Sequence, residues 1–242
     1  MRMRLRLVTY NVHRCVGLDR RHSPERIADI VRSLEPDAVA LQELETNHRR
    51  TDRIHQPDRL ARLLEMDCVY HPARVRSGSQ FGNAIFTRLP MRARRSDVLP
   101  RHPVVRLQTR GAVWATIRVG DSDFQLINTH LSLLRGERLR QAAALCDEWL
   151  AHPDCRSAPS VVCGDFNATP ACPTYRRLAD GLADAAGHDP RATWPSFLPF
   201  RRLDHVFVTP RVTVSRVDVP RTPLTRVASD HLPLVVDLEI AS

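Results

Sequence analysis

Lysine is missing from this chain: all 36 basic residues are arginine, against 27 acidic ones, so the net charge of +9 is carried by guanidinium groups alone. That absence excludes a Walker-type phosphate loop, whose tip requires a lysine. The six cysteines include no CxxC pair, and a chain of 242 residues needs no disulfide framework, so the thiols read as buried or incidental. No stretch approaches the roughly 18 apolar residues of a membrane span. The N-terminus MRMRLRLVTYNVH alternates arginine with apolar residues instead of building an apolar export signal, and a soluble, cytoplasmic protein is expected. There is no GxSxG elbow and no HExxH pair, which removes the serine-hydrolase and zincin readings. Aromatics are scarce at 5% and offer few platforms for stacking single-stranded bases.

What is present is an ordinary globular balance. Apolar residues make up 43% and charged residues 26%, which excludes disordered and low-complexity scaffolds. The arginine excess has two readings. Guanidinium forks match phosphate; codon bias in a GC-rich genome is the other, because no arginine run exceeds two residues.

Apolar alternation over residues 4–12 predicts a strand. Ser23, Pro24 and Glu25 read as an N-cap, a first-turn proline and a first-turn acid. Ile27, Ile30, Val31 and Leu34 follow at helical spacing, and Pro36 ends that helix. Residues 37–44 form an apolar run closing in Gln42 and Glu43, suited to a strand buried on both faces. Leu60, Leu63 and Leu64 suggest a second helix. Residues 81–87, 104–119 and 124–131 read as strands, with a hairpin turn at Gly120 and Asp121. Residues 136–150 predict a helix with Leu139, Ala142, Leu145 and Trp149 on one face. Strands are then expected at 160–163, 203–208, 212–219 and 232–240. The mixture, with no linker dividing it, predicts one domain over 1–242: an α/β (α+β) fold of two packed sheets with helices outside.

Six apolar segments end in polar or acidic groups, the places where a rigid scaffold aims chemistry. They are TYNVH at Asn11, LQEL at Glu43, INTHL at His130, GDFNATP at Asp165 and Asn167, RLDHVFV at Asp204, and ASDHLPL at Asp230 and His231. An echo links two halves: a strand ending Asn11-Val12-His13 precedes a helix and a strand ending in Glu43, and one ending Asn128-Thr129-His130 precedes a helix and a strand ending in Asp165.

In this order and over essentially the whole chain, these segments resemble the endonuclease/exonuclease/phosphatase superfamily of metal-dependent phosphohydrolases, with GDFN and SDHLP the most specific signatures. The resemblance implies a four-layered α/β/β/α sandwich with the site at the sandwich edge. It implies a Mg²⁺ cofactor, Mn²⁺ being the alternative, held by Glu43 with Asn11 and with Asp230 nearby, consistent with the oxygen ligands that Mg²⁺ prefers. Asp165 would orient or deprotonate the attacking water, Asn167 would bond the phosphate as charge develops, and Asp204 would fix His231 against the scissile group. His130 would contact phosphate and protonate the leaving oxygen, which tilts the reading away from abasic-site repair. Asn128, Asn83 and Arg110 are weaker phosphate candidates, each with a structural or solvated alternative. His13 is a possible cleft residue, and His205 is expected to pack.

The implied function is metal-dependent hydrolysis of phosphodiester bonds, with nucleic acid the leading substrate. A phospholipid or a small phosphate ester is the rival within the class. Only residues 99–104 and 195–200 offer apolar stretches for a lipid interface, and packing against the core is the simpler expectation for Phe197, Leu198 and Phe200. A non-catalytic phosphate- or protein-binding module would be expected to lack at least one of Glu43, Asp165, Asp204 or His231.

Overall fold

The computed structural model describes residues 2–105, 108–187 and 191–241. One six-stranded sheet contains β1 (Arg2–Asn11), β2 (Ala38–Thr46), β3 (Asp67–Arg76), β4 (Ser79–Thr87), β11 (Val212–Asp218) and β12 (Leu234–Ala241), in the order β11-β12-β1-β2-β4-β3. The other contains β5 (Met91–Val98), β6 (Gly111–Val119), β7 (Ser122–His130), β8 (Ser160–Asp165), β9 (Ala183–Asp184) and β10 (Asp204–Val208), in the order β5-β6-β7-β8-β10-β9. Helices α1 (Pro24–Ser33) and α2 (Gln56–Leu64) cover the first sheet; α3 (Arg135–Ala144), the short α4 (Pro153–Ser157) and α5 (Pro173–Ala179) lie with the second. A one-turn helix, α6 (Thr225–Ala228), precedes β12.

Strand alternation builds three apolar layers. In β1, Leu5 and Leu7 face the other sheet while Val8 and Tyr10 face α1 and α2. Thr9 and Asn11 continue the inward row, so the last inward position of β1 is an amide at the sandwich edge. The same alternation carries Leu126 to Asn128 and His130 on β7, Val161 and Cys163 to Asp165 on β8, and Val206 back to Asp204 on β10. A buried strand thus spends its inward positions on apolar packing until the edge, where the next one is polar.

The sequence echo corresponds to two parallel units. Strand β1 pairs with β2, and β7 with β8, each across an intervening helix. Helix α1 starts as expected, with the Ser23 side chain accepting from Arg26 N–H and Pro24 in the first turn.

Several expectations require correction. Strands β3 and β5 lack the apolar runs of the other strands, since CVYHPARVR and MRARRSDV lie at sheet edges with much of their length exposed. The strand expected from Val104 begins at Gly111; Val104 is exposed, and residues 106 and 107 lie outside the described residues. The helix expected over 136–150 is α3 followed by a π turn, Leu145–Trp149. Its buried face runs through Arg138, Gln141, Ala142, Leu145 and Trp149, and Leu139 points to solvent. Polar groups replace Leu139 on that face because Gln141 holds Ser132 N–H and Pro100 O, and Glu137 accepts His102 N–H.

Candidate active site

Glu43 reaches the cleft through a backbone irregularity. Strict alternation would turn it toward α2 with Val39 and Leu41, but β2 bulges between Leu41 and Leu44 and Glu43 adopts φ of 63°. The extra residue re-aims the carboxylate between the sheets. Its Oε1 lies 3.4 Å from Asn11 Nδ2, which also donates to Asp165 Oδ2 at 3.0 Å. The amide oxygen of Asn11 accepts from His13 N–H at 3.1 Å. As placed, Asn11 reaches two carboxylates with its amide nitrogen, and its oxygen accepts one backbone N–H.

Asp165 is the hub. Its Oδ1 accepts from Asn167 N–H at 2.8 Å, made possible by the left-handed φ of 48° at Asn167. Its Oδ2 lies 3.2 Å from His130 Nε2 and 3.6 Å from His231 Nε2. Burial, joined by the charge of Asp204, raises the Asp165 pKa to about 6, although His231 and the Asn167 N–H pull the other way.

His231 Nδ1 sits 2.8 Å from Asp204 Oδ2. Burial opposes a charged imidazole, but Asp204 and Asp165 outweigh it and hold the His231 pKa at about 10. The ring is an imidazolium spanning two carboxylates. Ser229 links this group to β1, its hydroxyl donating to Asn11 O at 2.7 Å and accepting from His231 N–H at 3.3 Å.

The two histidines have opposite states. Arg110 Nη1 lies 3.0 Å from His130 Nδ1, and burial followed by that guanidinium pushes the His130 pKa well below its ordinary value. A guanidinium only donates, so Nδ1 accepts from Arg110, while Nε2 lies 3.1 Å from Asn167 Nδ2 and 3.2 Å from Asp165 Oδ2. With the ring neutral, the 3.2 Å approach of Nε2 to Asp165 is not an ion pair. The expectation that Arg110 is solvated is wrong: it is buried.

Two of the weaker phosphate candidates, Asn128 and Asn83, are held inside the sandwich. Asn128 spans the sheets, donating to Leu41 O and Ala84 O and accepting from Gln42 Nε2 at 2.9, 2.8 and 2.8 Å. With both ends occupied and no exposure, it cannot reach a ligand. Asn83 is buried within β4 and donates to Gly111 O. Asp230 is half-buried at the rim, where Ser229 Oγ lies 3.4 Å from its Oδ1. His13 turns its Nδ1 to Val16 O, and His205 packs as expected, with Nε2 on Ala168 O.

Sequence reading gave no role to Thr193, Ser196 or Ser229. Thr193 O accepts from Leu232 N–H, and Ser196 donates its N–H to Asp230 O and its Oγ–H to Ser229 O. Ser229 lies inside the SDHLP signature; Thr193 and Ser196 carry no local signal. These anchors turn the neighbouring apolar side chains outward, so Phe197, Leu198 and Phe200 are about two-thirds exposed (60%, 68% and 64%) and do not pack on the core.

Among the described residues, Asp165, Asp204 and His231 bring ligand-type atoms within 4.8 Å of one another. The His231 nitrogens already face carboxylates, so the oxygens are the donors to consider. Asp204 Oδ1 is buried and accepts no hydrogen bond, and Glu43 presents a partly exposed carboxylate. This hard, oxygen-rich set fits a divalent cation.

The endonuclease/exonuclease/phosphatase family model matches residues 8–231, and the chain belongs to that family. It is accordingly a metal-dependent hydrolase of phosphoric ester bonds. An endonuclease/exonuclease/phosphatase from Beutenbergia cavernae is 27% identical with a TM-score of 0.78, covering 100% of this chain and 72% of its own. A Bacteroides thetaiotaomicron mannosyl-6-phosphatase is 20% identical, TM-score 0.79, covering 97% and 99%. The human Nocturnin catalytic domain with bound sulfate is 21% identical, TM-score 0.76, covering 99% and 94%. No curated protein matches by sequence. The fold of these structures is the four-layered sandwich described above. No helix among the described residues is long and apolar enough to cross a membrane.

Proposed function

We propose that the enzyme hydrolyses phosphodiesters, with nucleic acid as the substrate class, by in-line attack of a water oriented by Asp165. The observation that carries this reading is a buried carboxylate, Asp165, 3.6 Å from an imidazole whose other nitrogen is held 2.8 Å from Asp204. Asp165 is ionised at neutral pH yet basic enough to take the proton of the attacking water. His231 donates from Nε2 to a non-bridging phosphate oxygen as negative charge grows there, and Asp204 keeps it charged and oriented. Asn167 directs its amide nitrogen at Leu131 O, 3.0 Å away, and at His130 Nε2, 3.1 Å away, and it would bond the phosphate by exchanging the second contact.

Glu43 and Asp230 would hold the divalent cation, Mg²⁺ or Mn²⁺, with Asn11 fixing the Glu43 carboxylate. When bound, the ion offsets phosphate charge and favours departure of the alkoxide. His130, neutral and turned to Asp165, steadies that base; this departs from the expectation that it protonates the leaving group. A phospholipid substrate has one observation in its favour, the exposed Phe197, Leu198 and Phe200 beside Asp230.

Hydrolysis of bis(p-nitrophenyl) phosphate with Mg²⁺ tests the reading. Asp165→Asn and His231→Ala should each lower kcat by about 10²- to 10⁴-fold, and the diester should be preferred over p-nitrophenyl phosphate. Wild-type rates in Asp165→Asn would sink it.

A further inference from the structure

Beyond Glu43, the C-terminal end of β2 runs into a strongly basic trough. Two adjoining hollows of about 560 and 770 Å³ share His48, Arg50 and Arg74. The nearer includes Arg14 and Arg20; the farther includes Arg49, Arg53 and Arg76 at the tip of the β3–β4 hairpin. Arg14 ties the trough to the centre, since its charge is felt by both His130 and Arg110. From Glu43 to Asn47, where the farther hollow begins, is about 13 Å of strand.

These arginines differ from many others in the molecule. Arg6 is held by Asp237, Arg26 by Asp19, Arg59 by Glu25 and Arg202 by Asp184. Among the described residues, no carboxylate pairs with Arg49, Arg50, Arg53, Arg74 or Arg76. Two acids border the trough, Glu45 beside Arg14 and His48 and Asp52 beside His22, and neither pairs with those five. Five like charges that outnumber the acids beside them repel one another, and an anion laid along the trough relieves that repulsion.

The shape says which anion. A single phosphate engages one or two guanidinium groups, whereas here they line connected hollows leading away from the reacting centre. No Phe, Tyr or Trp lines either hollow to stack unpaired bases. The trough's aromatic neighbour Phe81 is buried, with the Arg14 and Arg74 guanidinium groups over its ring at 5.1 and 5.3 Å. A base-stacked polyanion read through its phosphates is the match.

We infer that the trough from Arg14 to Arg76 docks the phosphate backbone of duplex nucleic acid several nucleotides from the scissile bond. This deepens, and rests on, the phosphodiesterase reading. The test is fluorescence anisotropy of a labelled duplex of about 20 base pairs, in EDTA so that binding is read without turnover, across a salt series. A triple variant, Arg50→Gln, Arg53→Gln and Arg76→Gln, should bind at least about tenfold more weakly. Its log affinity against log salt should be shallower by about 0.9 for each phosphate that is no longer neutralised. Its rate on bis(p-nitrophenyl) phosphate, which cannot reach the trough, should stay within about twofold of wild type. Lysine at the same three positions should restore binding, because point charges suffice for phosphate.

Arg92, Arg156 and Arg211 lie toward the opposite end of the strands, and changing all three to Gln should leave affinity near wild type. Equal weakening by that control, an unchanged salt slope, failure of the lysine variant to rescue, or a matching loss of diester hydrolysis in the Gln triple would each overturn the inference. So would displacement of the duplex by inositol hexakisphosphate at lower phosphate concentration, which would assign the trough to a small polyphosphate. Trough-dependent binding by a wild-type enzyme that cannot cleave any phosphodiester would instead defeat the catalytic reading and leave the docking surface standing.

Discussion

Arg110 Nη1 donates to His130 Nδ1 across 3.0 Å, from the residue just before β6 to the last residue of β7. Burial keeps the imidazole neutral, the guanidinium adds to that effect, and the contact makes Nδ1 the acceptor. Arg110→Gln should let His130 accept a proton nearer its ordinary range and weaken its hold on Asp165. The expected result is a fall in kcat of about tenfold, with a changed ¹⁵N tautomer signature for the His130 ring. An unaltered ring signature in the variant would show that another group sets the tautomer.

The pH dependence follows from two raised pKa values with opposite catalytic consequences. Asp165 must be ionised, so activity rises with pH through about 6; His231 must be protonated, so activity falls through about 10. A bell with a broad plateau between these limbs is expected for kcat/KM. His231→Gln removes a positive charge that lowers the Asp165 pKa, so the rising limb should move to higher pH. A limb that moves to lower pH would contradict the arrangement.

Stability carries its own signature of His231. Its folded pKa exceeds its unfolded value near 6.5, so the folded state binds more protons between those values. The stabilisation is fully present below about 6.5 and is lost as pH rises through about 10. Urea midpoints at about pH 7 and about pH 9.5 should therefore lie further apart in the wild type than in His231→Gln. Equal differences in both proteins would mean that the imidazolium adds no pH-linked stability.

The catalytic segments were legible because each is local: an apolar run that stops in an acid, amide or imidazole needs no knowledge of its partners. Glu43, His130, Asp165, Asp204 and His231 do meet at one edge. Partnerships across the sandwich were not legible. Nothing near Asn128 in sequence announces Leu41, Gln42 and Ala84, which occupy it, and nothing near Arg110 announces that a buried imidazole will take its guanidinium. Strands β3 and β5 escaped for a related reason, because an edge strand can keep arginine and histidine on its open side and loses the apolar rhythm.

Gly164 tests the backbone geometry under the site. It precedes Asp165, pairs with Thr129 across the parallel β7–β8 ladder and has φ of +138°. A Cβ there would come within 1.9 Å of Thr129 O and 2.9 Å of Thr129 C, and both are backbone atoms of a central strand that cannot swing aside. Gly164→Ala should therefore combine a disfavoured φ with a clash that pushes β7 from β8, separating His130 from Asp165. A loss of about 3 kcal/mol or more is expected, which for a chain of this size lowers Tm by roughly 6–12 °C. Gly181→Ala supplies the comparison, since nothing lies within 4 Å of a Cβ at that position, and its Tm should stay near wild type. If calorimetry found the two variants equally stable, the close approach of β7 and β8 would not be what sets the spacing of His130 and Asp165.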